Sequence, residues 1–555
     1  MAKKKKSKGR GFLVQGTILA AAGIITKVIG AIYRIPMLNI MGLEGQGYYD
    51  IAFQVYSIAL LISSYSLPLA VSKLVSARMA KGQKRNAFRV FKAAMIFAVA
   101  VGTVIMIVVF IGSDVIADHV MGAKLSSYAL RVLAPGLLIV AIMGVLRGYF
   151  QGIGTMIPTA ISQVLEQILN AVVSILGAAM LMEYGKGIAE KKNNELLSSA
   201  YSAAGGTLGT VAGALIGLVF LVLCYAAYKN ILKRQLRSDK SKRQDEYQML
   251  FKLLLITIAP VILSTAIYNA SNVIDSAMFN KIMGAQGKTE KWCARMIGKL
   301  GEYYTLFNVP LAVANALGAS MMPGLVRAVE SRERRLIHNR IYMAVRYTML
   351  IAIPSAVGFF VIGKPILDFL WPNVENSVQG RMLMIGAISL VFYSLSTITN
   401  AVLQGLNRMM KPVKNATVAL VLHIVSLFIM LVVFKWGIYS IIVSKIVFSL
   451  CMCIMNSHDI REAVGYVQER QRTYVIPAIA AAIMGGVAFV LNLVLDIFMP
   501  GRLATLIVLI VAVIVYGVCL LKFGGLSEDE LLSMPKGATL ISVCKKLHLL
   551  NDNYY

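Results

Sequence analysis

The sequence predicts an all-α polytopic membrane protein, and three observations carry that prediction. The chain has 555 residues, 58% of them hydrophobic, and its mean hydropathy is +0.72. Only 15% of the residues are charged, against about 25% in soluble proteins. Many apolar runs reach about 20 residues, the length that a helix needs to cross a hydrocarbon core roughly 30 Å thick.

Hydropathy places fourteen transmembrane helices along the chain. Their approximate limits are 13–38, 49–72, 90–112, 128–150, 157–181, 201–227, 250–280, 302–323, 342–363, 382–405, 414–434, 437–456, 473–498 and 503–521. The loops after even-numbered spans, such as 73–92 and 229–243, are rich in Lys and Arg. Positive residues gather in cytosolic loops, so we expect both termini in the cytosol.

The net charge of +29 would suggest a nucleic-acid partner in a soluble protein. In a membrane protein, the same excess is typical of topology-setting loops, so no nucleic-acid partner is expected. The start MAKKKKSKGR lacks the cleavage site of a removable signal peptide. It fits a basic cytosolic segment lying against anionic lipid.

Two short patterns recur in order along the chain. Ile-Met-Gly begins at Ile40 and again at Ile282, and Pro-Leu-Ala-Val begins at Pro68 and again at Pro310, both with a shift of 242 residues. Gln-Gly followed by Pro also recurs, at 151–158 and 404–412. Both copies begin on the predicted cytosolic side, which indicates two parallel six-helix repeats, as in some transporters.

The repeat divides the chain into six segments. They are a basic N-terminus (1–12), an N-lobe of spans 1–6 (13–228), a basic linker (229–248), a C-lobe of spans 7–12 (249–457), two extra spans (458–522) and a cytosolic tail (523–555). Two lobes around a central cavity are the plan of an alternating-access transporter. Span 6 carries a glycine at every fourth residue from Gly205 to Gly217, a pattern that allows close helix approach.

Lys27 and Arg34 lie inside the first predicted span. A cation at the centre of a bilayer costs about 2.5–3.5 kcal/mol on insertion scales, and ionisable residues in spans indicate function by default. Seven residues make almost two helical turns, so the two side chains share one face about 10 Å apart. They are predicted to line a cavity and bind an anionic substrate, although Arg34 also lies near enough to the end of the span to reach the headgroups.

Six further polar residues are predicted to contribute to the same site. They are Glu166, Asp275, Asn269, Asn272, Gln54 and Tyr56. Glu166 and Asp275 are candidate partners of the span-one cations in the empty site, candidate carriers of a coupling ion or proton, or members of structural salt bridges.

The chain contains no P-loop, no GxSxG motif and no metal-ligand cluster. We therefore expect no cofactor, no catalytic residue and no enzymatic activity, and a coupling ion or the membrane potential remains open as the energy source. The rival functions are a multidrug antiporter of the same fold, for which a basic span one is unsuited, and a non-transporting scaffold or glycan polymerase.

Residues 27–76, the motif SQVLEQ (162–167) and the tail GGLSEDELLSMPKG (524–537) are similar to one family. The chain resembles the polysaccharide-biosynthesis, stage V sporulation protein B-like branch of the multidrug/oligosaccharidyl-lipid/polysaccharide exporter superfamily. The resemblance implies two six-helix lobes in a V, with two added helices associated with the lipid tail of the substrate.

The same resemblance implies flipping of an undecaprenyl-diphosphate-linked cell-wall precursor, most specifically the peptidoglycan precursor lipid II, across the bacterial cytoplasmic membrane. The partners would be that lipid-linked glycan, membrane lipids and the cell-wall synthesis machinery. The family's basic residue after a small polar one is matched by Thr26-Lys27, and a further cation is matched by Arg34, displaced by one position. The specific glycan, a role in growth or in sporulation, and the oligomeric state are left open.

Overall fold

The computed structural model describes residues 2–239, 244–499, 501–526, 541, 542 and 545, and every extended regular element of that part is helical. The α-helices are α1 (Ala2–Leu60), α2 (Leu67–Ala80), α3 (Lys84–Val115), α4 (Ser127–Gly152), α5 (Ile157–Lys192), α6 (Leu196–Arg237), α7 (Tyr247–Ala285), α8 (Glu290–Glu330), α9 (Arg334–Leu370), α10 (Ser377–Gly405), α11 (Met410–Val432), α12 (Tyr439–Val464), α13 (Ile476–Phe498) and α14 (Gly501–Lys522). The predicted all-α class is confirmed. The predicted cytosolic tail, 523–555, lies mostly outside the described residues.

Helix α1 is divided by a sharp break at Gly42. Its 59 residues would reach nearly 90 Å if straight, about three times the hydrocarbon thickness. At Gly42 the backbone has φ 68° and ψ 177°, a conformation that only glycine adopts without strain. The break separates 2–41 from 43–60, and a π-helical turn, Leu61–Tyr65, connects the second part to α2.

Eleven stretches of the described residues are long and apolar enough to cross a membrane. The first of them, Ile25–Ala80, is 56 residues long. It contains the second half of the first predicted span, the Gly42 break and the whole of the second predicted span. Predicted spans 7 and 8 lie in α7 and α8, parts of which fall outside the described side chains. The chain is a multi-pass membrane protein, and the count of fourteen stays a prediction.

The chain packs as two compact units, 1–301 and 302–555. In the first unit, a core of Ala, Val, Leu and aromatic side chains from α2, α3, α4 and α6 is buried. In the second, α9, α10 and α12 form one core, and α13 and α14 pack against each other and against α9. The predicted lobe boundaries and the predicted repeat both stay predictions.

The two Gln-Gly-Pro patterns mark equivalent helix boundaries. Gly152 ends α4 and Gly405 ends α10. Pro158 and Pro412 lie in the first turns of α5 and α11, where a missing backbone N–H has no helical partner to lose. In both places the pattern therefore marks the end of one helix and the start of the next.

The glycine ladder of α6 lies directly against α5. A methyl group added at Gly213 would lie 3.1 Å from the Asn170 Cβ, and one at Gly209 would lie 2.5 Å from the Asn170 carbonyl oxygen. The hydroxyl of Ser174, in the same stripe of α5, donates a 2.8 Å hydrogen bond to the Gly206 carbonyl. The close helix approach predicted from the four-residue spacing is confirmed.

Substitution of Gly209 tests this contact. We expect Gly209→Ala to lower the thermal unfolding temperature of the purified protein, because the new methyl group meets backbone atoms of α5 and overpacking costs about 1–3 kcal/mol. The matched control is Gly187→Ala on α5, where nothing lies within 4 Å of the added methyl group and helix propensity favours alanine. Equal loss of stability in the two variants would contradict the ladder contact.

Candidate functional site

Lys27 lies on the face of α1 opposite its exposed apolar stripe. Ile25, Val28 and Ile32 follow an i, i+3, i+7 pattern and are 49%, 52% and 63% exposed, as expected of a lipid-facing stripe. Lys27 is itself exposed, yet at 100° per residue it lies more than a right angle from that stripe and on the same face as Arg34. The exposed side chain of Lys27 therefore points away from the apolar face of the helix.

Arg34 is half-buried and has partners beyond the Gly42 break. Its guanidinium contacts the Tyr49 hydroxyl, and the Asp50 carboxylate is near enough to attract it. Arg34 precedes the break by eight residues, and Asp50 follows it by eight. The two parts of α1 therefore fold back so that a cation on one faces a carboxylate on the other.

Asp50 is held in place by its surroundings. The Gln46 amide, one turn earlier on α1, approaches the Asp50 carboxylate at 3.4 Å. The first turns of α8 cross this part of α1 at small residues, so that Gly301 faces the Asp50 carboxylate and Gly298 faces the Leu43 backbone. Side chains larger than glycine would displace α8 from this position.

The structure does not support pairing of Glu166 with Lys27 or Arg34. Glu166 on α5 accepts a 2.7 Å ion pair from Arg147 on α4, with side-chain exposures of 27% and 13%. Arg147 also donates to the Ser162 hydroxyl at 3.0 Å. Of the three alternatives given for Glu166, this contact supports the structural salt bridge.

Tyr56 and Gln54 lie on the second part of α1. Tyr56 is buried and close enough to Glu166 to feel its charge, so the fold brings these two predicted site residues together. Gln54 is half-buried, and its Oε1 atom has no hydrogen-bond partner among the described residues. Tyr49, Phe53 and Tyr56 form a row of rings with centroids 5.8 Å apart in each step.

The three predicted site residues of α7 differ in their environments. Asp275 is buried at 1% exposure. Asn269 donates a 2.8 Å hydrogen bond to the Thr265 carbonyl of its own helix, a local bond that membrane helices commonly make. Asn272 is exposed.

Two residues of the site region were missed from the sequence. Asp50 falls at the edge of the second predicted span, and Arg147 near the end of the fourth. A signal for Asp50 was present, since Gln46, Asp50 and Gln54 recur at four-residue spacing and form a polar stripe on one helix face.

Three basic residues of the candidate site differ in whether a carboxylate faces them. Arg34 has Asp50, Arg147 has Glu166, and Lys27 makes no ion pair with any residue that the structure describes. A strongly hydrated ammonium group without a carboxylate partner is suited to an anionic ligand.

Comparison with known proteins identifies a family and several relatives. Residues 13–329 match the family model described as "Polysaccharide biosynthesis protein". The chain is 26% identical to the lipid II flippase MurJ of Bacillus subtilis strain 168 over 425 residues, which cover 74% of this chain and 75% of that protein. It is 27% identical to the stage V sporulation protein B of the same organism over 399 residues, or 71% of this chain and 73% of that protein.

A solved structure supports the fold. The structure of lipid II flippase MurJ in its inward closed conformation superposes with a TM-score of 0.64 at 12% identity, covering 91% of this chain and 98% of the other. At this identity the likeness concerns the fold alone.

The compensated pair Arg147–Glu166 is testable against an exposed pair on the same helix. Arg131 of α4 forms an ion pair with Asp114 of α3, with side-chain exposures of 42% and 56%. We expect a double-mutant cycle of alanine substitutions to give Arg147–Glu166 a coupling energy within the range of about 0.5–3 kcal/mol found for contacting residues. The exposed pair should reach at most a few tenths to about 1 kcal/mol. The measurement is thermal unfolding, and a larger coupling for the exposed pair would contradict a structural role of Glu166.

Proposed function

The chain belongs to the polysaccharide biosynthesis protein family, within the multidrug/oligosaccharidyl-lipid/polysaccharide exporter superfamily, and we propose from that premise that it is a lipid-linked oligosaccharide flippase. Its substrate is an undecaprenyl-diphosphate-linked cell-wall precursor, most specifically lipid II. The protein moves it from the inner to the outer leaflet by alternating access. Similarity to a named lipid II flippase over about three quarters of the chain supports this choice of substrate class.

The single observation that carries the proposal is the state of Lys27. It is exposed on the non-apolar face of α1 and has no acidic partner among the described residues. A cation at that position raises the energy of the empty protein, and a diphosphate relieves the cost through charge-assisted hydrogen bonds. We assign Lys27 as the residue that binds the diphosphate.

The other site residues take supporting roles in this proposal. Arg34, attracted by Asp50, lies almost two helical turns from Lys27 and adds to the positive potential there. The Glu166–Arg147 pair fixes α4 to α5 beside Tyr56. Asp275, Asn269, Asn272 and Gln54 remain predicted contacts of the substrate.

The membrane potential supplies a driving force for this substrate. With the cell interior negative, moving one negative charge outward gains about 2.3 kcal/mol per 100 mV. An empty site that carries the Lys27 cation is drawn back inward by the same field. The potential therefore favours both the loaded outward step and the empty return.

Flipping in proteoliposomes tests the role of Lys27. We expect Lys27→Ala to reduce lipid II flipping at least about tenfold, because hydrogen bonds to charged groups contribute about 1.5–3 kcal/mol. Lys27→Arg, which keeps the charge, should retain part of the activity. The matched control is Lys192→Ala, which removes an exposed lysine at the end of α5.

Three outcomes would decide against the proposal. Wild-type protein that moves other undecaprenyl-linked sugars but not lipid II would exclude lipid II as the substrate. Full activity of Lys27→Ala would exclude its role at the diphosphate, and absence of flipping in the folded wild type would favour a scaffold.

Collapse of the membrane potential tests the driving force. In potassium-loaded proteoliposomes, valinomycin sets the potential, and we expect the flipping rate to rise as the substrate-receiving side becomes more positive. A rate that does not change across a clamped range of 100 mV would rule out coupling to the potential.

A further inference from the structure

The second unit contains a cavity that the proposed transport site does not use. Its volume is about 600 Å³, and it lies where α9, α10, α12 and the segment 465–475 meet. One wall is apolar, formed by Ile341, Val345 and Ile460, all of them buried. The opposite side carries Arg461 and Arg470, both of them exposed.

The acidic groups near this cavity already have partners. Asp459 accepts hydrogen bonds from Lys411 at 2.6 Å and from Asn415 at 2.7 Å. Glu462 faces Lys411 at 3.4 Å and Arg408 at 3.9 Å. These contacts leave no carboxylate of α12 directed at the cavity arginines.

Glu469, the remaining acid beside the cavity, also has hydrogen-bond partners. Its carboxylate accepts the backbone N–H groups of Arg472 and Thr473 at 2.9–3.0 Å and the Thr473 hydroxyl at 3.0 Å. Burial alone would raise the pKa of Glu469, but these hydrogen bonds hold it below its usual value. Arg461 and Arg470 accordingly make no ion pair with any residue in the described part of the chain.

The cavity wall is fixed before any ligand binds. The Tyr474 hydroxyl donates to the Gln468 side-chain carbonyl, and the Gln468 amide donates to the Ser457 hydroxyl at 3.1 Å. His338 on α9 bonds the Val464 carbonyl at 2.8 Å, where α12 ends. The segment that carries Arg470 is therefore bonded to α12, and the end of α12 is bonded to α9.

The cavity lies where two apolar stretches end. The stretch that contains α12 ends at Val464, and the next begins at Gln471, so we expect the residues between them to lie near the lipid headgroups. The sequence predicts this side to be cytosolic, because the loop follows the twelfth span. Basic pockets between helices on that side are typical sites for anionic lipid headgroups.

We propose that this cavity binds an anionic phospholipid of the cytosolic leaflet. Arg461 and Arg470 contact the headgroup phosphate, and the upper part of an acyl chain lies along Val467 and Val475, which line the same cavity and are 66% and 48% exposed. This bound phospholipid is distinct from the substrate proposed above. The proposal does not depend on the proposed function.

Native mass spectrometry of the purified full-length protein tests the site. Phosphatidylglycerol and phosphatidylethanolamine with identical acyl chains serve as the probes. We expect preferential retention of phosphatidylglycerol, and an apparent affinity about 30-fold weaker in the double variant Arg461→Gln, Arg470→Gln, since each arginine near an anionic headgroup contributes about a fivefold factor.

Two further variants distinguish lipid binding in the cavity from non-specific attraction to surface charge. The double variant Arg334→Gln, Arg335→Gln removes the same charge from exposed positions of α9 and should leave binding unchanged. Val475→Trp keeps the charge but adds bulk at an exposed position of the cavity lining, and should weaken binding in protein whose unfolding temperature is unchanged.

Four results would overturn the proposal. They are equal retention of the two phospholipids, equal loss in the Arg334/Arg335 variant, unchanged binding in both cavity variants, and complete displacement by millimolar inorganic phosphate, which would indicate a free anion. Displacement by undecaprenyl diphosphate at equimolar concentration would instead identify a substrate site and also exclude a resident phospholipid.

Discussion

The cost of placing a charge in hydrocarbon is the constraint on which the rest of this structure depends. An isolated cation at the centre of a helix raises the energy of insertion by several kcal/mol unless it meets water, a carboxylate or the headgroup layer. Arg147 meets the Glu166 carboxylate at 2.7 Å, and Arg34 lies in the field of Asp50. Lys27 is exposed and makes no ion pair with any described residue, which is why its position is central to the proposed function.

The fold class was predictable from the sequence because hydropathy reports directly on the solvent. Long apolar runs require helices, since no water is available to satisfy backbone groups in the hydrocarbon. The close packing of α5 on α6 was predictable for a related reason, because glycine at every fourth residue from Gly205 onward has few other uses in a membrane helix. Both the fold class and the α5–α6 contact could thus be predicted from the spacing of residues close together in the sequence.

The partners of the charged residues were not predictable in the same way. Arg34 meets Asp50 only because the chain folds back at Gly42, and nothing in the spacing of the two residues indicates such a turn. Arg147 and Glu166 lie on different helices, so their contact depends on how α4 and α5 pack. Lys27 was correctly placed within an apolar helix, but the direction it faces required the exposure of its neighbours.

In the second unit, a hydrogen-bond network of side chains holds the Asp459 carboxylate. Asn456 donates to the Asn400 side chain at 2.8 Å and accepts from Asn415 at 2.9 Å, and Asn415 also reaches Asp459. Buried polar groups in such a network are costly when one partner is missing. Because this network between α10, α11 and α12 already binds Asp459, that carboxylate is not directed at Arg461 or Arg470, which are exposed.

The absence of side chains on one surface of α6 limits how that helix moves. The glycines of α6 contact the α5 backbone at successive turns. Long flexible side chains, which could rearrange if the helices slid past each other, are therefore missing from this contact. Sliding by less than a full turn would drive the Ser174 and Asn170 side chains against peptide atoms. We therefore expect α5 and α6 to move together in any rearrangement of the first unit, and the break at Gly42 in α1 to be one place where that unit can bend.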